Sequence, residues 1–206
     1  KGSRFHQIGF NKPKGFIKKN NQTIIERSIN ILLDNGISKI IIGTGYLSLY
    51  YDLFESNKSI VCIKNEQFET TGSFFTLFNL RKFIDDNFLL LESDIIYEKK
   101  LNKTIIKDKN KNVIIGSDIS NSGDEVYIEK NNEYLLKNLS KNKTKLSDVD
   151  SEFVGISKIS KDSFKKICLH YQKNTRDLKK IEQALMNEWE QLTISIEQIQ
   201  KKQGSS

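Results

Sequence analysis

The sequence predicts an α/β fold in which helices cover both faces of a mixed, mostly parallel sheet. Short apolar runs rich in Ile and Val, such as 39–43 and 59–63, alternate with amphipathic stretches up to about residue 160. Uninterrupted apolar runs are typical of strands buried on both faces, and strand–helix alternation is typical of parallel sheets. Residues 125–140 add a hairpin-like pair around Asn131 and Asn132, which predicts an antiparallel part.

The best-defined helix is predicted at 23–36. Thr23 and Glu26 have the spacing of a capping box, apolar residues recur every three or four positions, and Gly36 supplies a left-handed stop. A second amphipathic helix is predicted at 73–84, and the chain is predicted to be helical beyond about residue 158. The remaining predicted elements are strands at 88–94, 112–117, 125–130 and 152–157, and helices at 161–173, 177–192 and 194–202.

The composition indicates one folded domain. The 206 residues, 37% of them hydrophobic and 29% charged, suffice for a buried core and exclude a disordered or membrane-embedded chain. We expect a single domain over 1–206, with a core over about 1–160 and a helical part over about 160–203. Cys62 and Cys168 lie far apart in apolar stretches, which indicates reduced thiols and a cytoplasmic protein.

The net charge of +7 is compatible with a nucleic acid, an anionic membrane surface or a small phosphorylated ligand as partner. The lysines are spread along the whole chain without a nucleic-acid-binding motif, and no apolar run is long enough to span a bilayer. We therefore predict a small phosphorylated ligand, and neither a nucleic acid nor a membrane as partner. A basic nucleic-acid-binding domain remains as an alternative.

The opening stretch KGSRFHQIGFNKPKGF combines glycine, arginine and several lysines with the only proline of the sequence. Gly2 would let a phosphate approach the main chain, and Ser3 and Arg4 would add hydrogen-bond donors. Pro13 restrains the lysine before it, so that the lysines around it, including Lys14, project from a fixed loop. The stretch is therefore either a phosphate-binding loop or a solvated basic segment.

The stretch LLLESD places Asp94 where a predicted strand ends. In open α/β sheets the ligand crevice lies beyond the carboxyl ends of the strands, so a carboxylate there can hold Mg²⁺ together with phosphate oxygens. The alternative is an aspartate that caps a turn.

Thr70, Thr71, Gly72 and Ser73 form a polar loop before a predicted helix. That loop could bind a nucleobase, or a hydroxyl of Thr71 or Ser73 could cap the helix.

Two acids and a lysine complete the candidates. Asp124 and Glu125 follow a glycine at the start of a predicted strand, where they could bind a cationic amine or lie in solvent. Lys141 offers a further cation for a phosphate, although most lysines of such a chain are solvated surface.

The pieces GSRF, KPKGF, IIERSINILLDNGISKIIIGTGY, TTGS and FLLLESDIIYE, in this order, resemble the sugar-nucleotidyltransferase superfamily over roughly residues 2–160. Within it they are most similar to small cytidylyltransferases that activate 2-aminoethylphosphonate or phosphocholine. The TTGS loop and SGDEVY resemble the aminoethylphosphonate branch more closely. The resemblance implies a Rossmann-like nucleotidyltransferase fold and a Mg²⁺-dependent transfer of CMP from CTP with release of pyrophosphate.

The resemblance also implies roles for several candidates. The opening loop would hold the triphosphate, Lys14 would contact phosphate as the acceptor attacks, and the TTGS loop would lie by the cytosine and ribose. The candidate site residues are Gly2, Ser3, Arg4, Lys14, Thr71, Gly72 and Ser73 for the nucleotide, Arg4, Lys14 and Asp94 for catalysis, Asp94 for the metal, and Asp124, Glu125 and Lys141 for the acceptor.

The sequence departs from this family in two places. Family members have an apolar strand leading into AAG before the Gly-Ser-Arg turn, and a late Glu-Ile-Asp that supplies a second metal carboxylate. Here the sequence starts at Lys1, and only NEWEQL at 187–192 resembles the region of the late motif. We expect the real polypeptide to contain further segments that explain both differences.

We therefore expect a CTP-dependent cytidylyltransferase with Mg²⁺ as cofactor and 2-aminoethylphosphonate as acceptor. One alternative is phosphocholine as acceptor, for which Tyr127 and Trp189 could contribute to an aromatic cage. Another is a degenerate module that binds nucleotide without turnover. Apolar surface on the C-terminal helices could pair two subunits into a homodimer.

Overall fold

The computed structural model describes residues 12–174 and the backbone of 195–198. Contacts divide this chain into two compact units. Within the described residues, the first unit comprises 12–85 and 93–104, and the second comprises 86–92, 105–174 and 195–198. The single domain expected over 1–206 stays a prediction.

The first unit is built from two strand pairs and the helices that follow them. Strands β1 (Lys18–Lys19) and β2 (Gln22–Thr23) pair antiparallel. Strands β3 (Ile40–Thr44) and β4 (Ile60–Lys64) pair parallel, with Ile40 opposite Ile60 and Thr44 opposite Lys64. Its elements are a 3₁₀ turn (Lys14–Phe16), β1 (Lys18–Lys19), β2 (Gln22–Thr23), α1 (Ile24–Asp34), β3 (Ile40–Thr44), a 3₁₀ helix (Ser48–Ser56), β4 (Ile60–Lys64), α2 (Ser73–Leu80) and the first residues of α3 (Lys99–Lys107).

Helix α1 begins and ends where its local sequence signals predict. The Thr23 hydroxyl accepts a hydrogen bond from the backbone N–H of Glu26 at 3.2 Å, and the Glu26 carboxylate accepts one from the backbone N–H of Thr23 at 2.8 Å. This capping box satisfies two of the N–H groups that a helix start leaves without partners. Beyond the helix, Gly36 has a φ of +84°, the left-handed conformation that stops a helix.

The second unit is a six-stranded sheet. Its elements are β5 (Phe88–Leu91), β6 (Val113–Ser117), β7 (Tyr127–Lys130), β8 (Leu136–Ser140), a 3₁₀ turn (Lys143–Lys145), β9 (Ser151–Ile159), α4 (Lys161–Asn174) and β10 (Ser195–Gln198). The strand order is β10-β6-β9-β7-β8, and β5 pairs with β9 as well. The core of this unit includes Ile114, Ile128 and Leu136, which are all buried.

The predicted α/β class and mixed sheet are confirmed, but the antiparallel share among the described strands is larger than expected. The long strand β9 pairs antiparallel with β5, β6 and β7, whereas β3–β4 and β6–β10 are parallel. An apolar run predicts that a strand is buried but carries no information about the direction of its neighbours. The predicted hairpin is confirmed as β7 and β8, which pair antiparallel.

One predicted helix is wrong where the structure describes it. Residues 195–198, within the helix predicted at 194–202, form β10, which pairs parallel with β6. Tertiary pairing with a buried strand outweighs the weak helical preference of this polar stretch. The helix predicted at 161–173 is confirmed as α4, and the helix predicted at 177–192 lies outside the described residues.

Two expectations about the chain's environment can be compared with the described part. None of its helices is long and apolar enough to cross a bilayer. Cys62 is half-buried and Cys168 is buried, and neither forms a disulfide within the described part of the chain, as the sequence predicts. The homodimer and the cytoplasmic location stay predictions.

Candidate functional site

The loop that carries Lys14 is packed against the body of the first unit. After Pro13 the chain makes a 3₁₀ turn, in which the backbone N–H of Phe16 donates to the carbonyl of Pro13 at 2.9 Å. The Phe16 ring then packs edge-on against Tyr50 and Tyr51, with centroid distances of 5.4 and 5.1 Å. Residues 12–17 are therefore a fixed loop and not a solvated tail. Gly2, Ser3 and Arg4 lie outside the described residues.

Lys14 and Asp94 lie together although they are far apart in the sequence. The Lys14 ammonium is 3.4 Å from a carboxylate oxygen of Asp94, and the two side chains are 43% and 31% exposed. Asp94 lies in a turn a few residues after β5, as the position of LLLESD predicts. Two of the three residues expected to take part in catalysis therefore meet at one solvent-accessible point.

Gly15 allows this meeting. A β-carbon at Gly15 would lie only 2.8 Å from the carbonyl oxygen of Ser93, the neighbour of Asp94. The missing side chain lets the loop lie directly on the turn, which places Lys14 beside the carboxylate. The motif KPKG contained this signal, but sequence reasoning did not give the glycine a role of its own.

Tyr51 lies beneath the same turn. Its ring is buried, and its hydroxyl is hydrogen-bonded with the Ser93 side chain. Burial raises the pKa of the Tyr51 phenol, the hydrogen bond to Ser93 lowers it, and the negative charge of Asp94 raises it further. Tyr51 therefore stays neutral and supports the turn. Sequence analysis missed it because one tyrosine in an aromatic-rich stretch carries no distinguishing local pattern.

The loop before α2 is organised by a buried asparagine. Asn65 is 1% exposed, and its amide nitrogen donates to the hydroxyls of Thr71 and Thr76, each at 3.0 Å. The Thr71 hydroxyl in turn donates to the carbonyl of Gln67 at 2.7 Å. Because a hydroxyl has one proton, Thr71 can offer a ligand only a lone pair. Sequence reasoning found the TTGS loop but missed Asn65.

The start of α2 is not capped by a side chain of the described residues. The helix begins at Ser73, and its N-cap is Gly72, which has no side chain to cap the helix. Neither Thr71 nor Ser73 therefore caps it, in contrast to the alternative drawn from the sequence. The first N–H groups of a helix have no partner within it and favour an anion or a carbonyl oxygen. The Ser73 side chain is exposed beside them.

Asp124 and Lys141, in the second unit, lie close to each other. The Lys141 ammonium is 3.3 Å from a carboxylate oxygen of Asp124, and both side chains are well exposed. Each could exchange this partner for a charged group of a ligand at little cost, because exposed ion pairs contribute little to stability.

The carboxylate of Glu125 points into the loop that precedes it and not into solvent. The side chain is 5% exposed, and its carboxylate accepts hydrogen bonds from the backbone N–H of Gly123 at 3.0 Å and from the hydroxyls of Ser120 and Tyr127 at 3.3 and 3.2 Å. Hydrogen bonds from the backbone N–H groups of Glu125 itself and of Gly123 lower the pKa of this carboxyl to about 2. Glu125 thus organises the loop, and its role in acceptor binding stays a prediction.

The aromatic residues named for a cage are differently placed. The ammonium of Lys143 lies 4.7 Å from the centroid of the Tyr127 ring, so this ring already makes a cation–π contact within the protein. Trp189 lies outside the described residues.

Asp94 has the chemistry of a Mg²⁺ ligand. No group of three or more metal-binding side chains occurs within the described part of the chain. Mg²⁺, however, is commonly held by one or two carboxylates together with phosphate oxygens and waters. Asp94 is partly exposed and pairs with the ammonium of Lys14. Its carboxylate therefore fits a Mg²⁺ ion that is brought into the site by a nucleotide.

No protein-family profile matches the chain. It is 23% identical over 97 residues to choline-phosphate cytidylyltransferase of Streptococcus pneumoniae, which is 47% of this chain and 42% of that protein. It is 28% identical over 167 residues to the bifunctional protein GlmU of Methanococcus maripaludis, which is 80% of this chain and 39% of that protein. The chain thus spans about two fifths of the length of these relatives.

Solved structures with the same fold include two CTP-dependent transferases. The CTP:phosphocholine cytidylyltransferase of Streptococcus pneumoniae superposes with a TM-score of 0.67 and 18% identity, over 93% of this chain and 82% of that one. The inositol-1-phosphate CTP transferase of T. maritima superposes with a TM-score of 0.71 and 14% identity, over 96% and 81%. The chain has the fold of these nucleotidyltransferases, and the resemblance of its sequence to nucleotidyltransferases is confirmed. The closer likeness to the aminoethylphosphonate branch stays a prediction.

Proposed function

We propose that this chain carries the nucleotide-binding part of a CTP-dependent cytidylyltransferase, which transfers CMP to a small phosphonate or phosphate and releases pyrophosphate. The observation that carries the proposal is the meeting of Lys14 and Asp94 at 3.4 Å, on a loop that Gly15 allows to lie against the turn. The structural neighbours named as CTP transferases support the choice of nucleotide.

The reaction needs positioned charge more than a side-chain nucleophile. An acceptor oxygen attacks the α-phosphorus of CTP, the bond to the bridging oxygen breaks, and pyrophosphate leaves with that oxygen. The ammonium of Lys14 would offset negative charge as it develops, and Gly2, Ser3 and Arg4 would hold the triphosphate. Mg²⁺ held by Asp94 would add positive charge beside the phosphates.

The base would lie at the start of α2. The first backbone N–H groups of α2, which have no partner within the helix, can donate to the oxygen of a cytosine, and the Thr71 hydroxyl can accept from its amino group. These groups have the pattern that a pyrimidine with an exocyclic amine requires.

For the acceptor we favour 2-aminoethylphosphonate. Exposed Asp124 is suited to a primary amine, exposed Lys141 to a phosphonate, and Glu125 is engaged within its loop. Phosphocholine is the second candidate because a relative is named for choline phosphate. One observation speaks against phosphocholine. A quaternary ammonium favours a cage of aromatic rings, and Tyr127, the described residue named for such a cage, already has the ammonium of Lys143 over its ring.

The decisive test measures pyrophosphate release by the full-length protein with CTP and Mg²⁺, with each acceptor offered in parallel. We expect Lys14→Ala and Asp94→Asn each to lower the rate by about 100-fold or more, because each removes a charge placed at the reacting phosphates. Lys39→Ala is the matched control, since Lys39 forms an exposed pair with Asp85 at 3.5 Å.

Three outcomes would contradict parts of the proposal. Rates like the wild type in both site variants would remove Lys14 and Asp94 from the mechanism. Faster turnover of phosphocholine would make it the acceptor. Thermal stabilisation by CTP without pyrophosphate release from either acceptor would identify a module that binds nucleotide without catalysis.

A further inference from the structure

The segment that carries Asp94 has little regular structure of its own. Residues 93–98 form neither helix nor strand, although they lead directly into α3. Of these six residues, all described, Tyr97 alone is buried, and it is 8% exposed. The neighbouring Ile96 is half exposed. The path of the segment after Asp94 therefore depends on what Tyr97 contacts.

Tyr97 contacts polar groups of two helices. The guanidinium carbon of Arg27, on α1, lies 5.8 Å from the centroid of the Tyr97 ring, within the range of a cation–π contact. The Tyr97 hydroxyl accepts a hydrogen bond from the side-chain amide of Asn102, on α3, at 3.5 Å. Asn102 is 0% exposed, so water outside the protein cannot replace this contact.

This cluster is not ordinary core packing. A side-chain nitrogen of Arg27 and the amide oxygen of Asn102 are buried without a hydrogen-bond partner among the described residues. A buried polar group without a partner destabilises the fold, because it has lost the hydrogen bonds that it made to water. A phenylalanine would fill the same space as Tyr97, but it would leave the Asn102 amide with no partner in this part of the chain. The hydroxyl therefore has a use beyond packing.

We propose that Tyr97 is a positioning residue for Asp94. The contact of its ring with Arg27 and the hydrogen bond between its hydroxyl and Asn102 fix the end of the turn that follows Asp94. Gly15 and Tyr51 fix the start of the turn at Ser93. With both ends held, the Asp94 carboxylate is preorganised to receive a metal ion, which saves the cost of ordering the turn on binding. The effect on metal binding rests on the proposed function, whereas the effect on the turn does not.

The first test measures the turn without any ligand. In the full-length protein we expect Tyr97→Phe to make the backbone amides of 93–98 exchange with deuterium several-fold faster, with no change in α1. Tyr134→Phe is the control, because Tyr134 is exposed in the hairpin of the second unit. Equal exchange over 93–98 in wild type and Tyr97→Phe would overturn the proposal.

The second test separates positioning from a general loss of stability. We expect Tyr97→Phe to weaken Mn²⁺ binding in the presence of CTP by about 10-fold, and to raise by a similar factor the Mg²⁺ concentration for half-maximal pyrophosphate release. At saturating Mg²⁺ the rate should approach that of the wild type. A residue that only stabilises the fold would lower the melting temperature and the active fraction, with the metal dependence unchanged.

The two proposals fail in different ways. A wild-type protein that releases no pyrophosphate contradicts the proposed function, and the exchange experiment still decides whether Tyr97 holds the turn. Faster exchange with unchanged Mn²⁺ binding would show that Tyr97 orders the segment without positioning Asp94, which overturns the inference.

Discussion

Gly15 illustrates how a missing side chain can position its neighbours. A β-carbon there would lie 2.8 Å from the Ser93 carbonyl oxygen, a contact that the backbone must relieve by moving. We expect Gly15→Ala to lower the free energy of unfolding by about 1–3 kcal/mol, as overpacked sites do. It should also lower turnover, because the loop that carries Lys14 moves away from Asp94. Urea unfolding and pyrophosphate release measure the two effects.

A matched glycine provides the control for this variant. Gly72 has an ordinary φ of −88°, and a β-carbon there would meet nothing within 4 Å. Because serine is a better N-cap than glycine, Gly72→Ser should leave the free energy of unfolding unchanged or raise it slightly. Equal destabilisation by both variants would mean that the Ser93 contact is not the cause.

The lowered pKa of the Glu125 carboxyl predicts that the stability of the fold depends on pH. Its carboxyl pKa is lowered from 4.5 to about 2 in the folded protein, so folding favours the charged form. The stabilisation is complete above the unfolded value and is lost as the pH falls from about 4.5 to about 2. Glu125→Gln should therefore be less stable than the wild type at pH 7, and the difference should shrink through this window.

Denaturant unfolding of wild type and variant at pH 7, 4 and 3 measures that difference. Glu133→Gln is the control, because the Glu133 side chain is exposed at the hairpin turn. A difference between Glu125→Gln and wild type that stays constant with pH would contradict the assignment of the stabilisation to this carboxylate.

At the scale of elements, the capping box should be the main local determinant of α1. Thr23→Ala removes the oxygen that accepts from the Glu26 N–H, and we expect a loss of about 0.5–2 kcal/mol in the free energy of unfolding. Ser73→Ala is the comparison, since Ser73 follows the N-cap of α2 and does not serve as the cap. Thermal or urea unfolding should show a loss for the first variant only; similar losses would contradict this distinction.

Elements also show where local patterns stop being informative. The capping box, Gly36 and the hairpin turn at Asn131 are formed by residues within a few positions of one another, and the structure contains each of them. The direction in which β9 pairs, and the strand at 195–198, depend on partners far away in the sequence. No local pattern could have distinguished these pairings.

At the scale of the whole molecule, the net charge is +7, but some of the lysines that contribute to it pair with carboxylates. Several lysines of the described residues lie within 4 Å of a carboxylate, which lowers the local potential that a polyanion would meet there. These paired lysines are Lys14, Lys39, Lys64, Lys99, Lys130, Lys137 and Lys141.

We therefore expect a short single-stranded oligonucleotide to bind weakly at physiological salt and to leave pyrophosphate release unchanged. CTP, in contrast, should raise the melting temperature. Fluorescence anisotropy at several salt concentrations measures the first expectation, and thermal shift measures the second. Tight binding that falls steeply with salt, together with no response to CTP, would favour the nucleic-acid-binding alternative.

The sequence by itself determined the α/β class, most element positions, and the identity of Lys14 and Asp94 as candidates, because periodicity, capping and motif order are local or linear properties. Only the tertiary structure decided that these two side chains meet, that Gly15 and Tyr51 support the turn, and that Asn65 shapes the loop before α2. It also decided that Glu125 turns inward. Each of these facts depends on close contact or burial, which arises only when the folded chain brings the groups together.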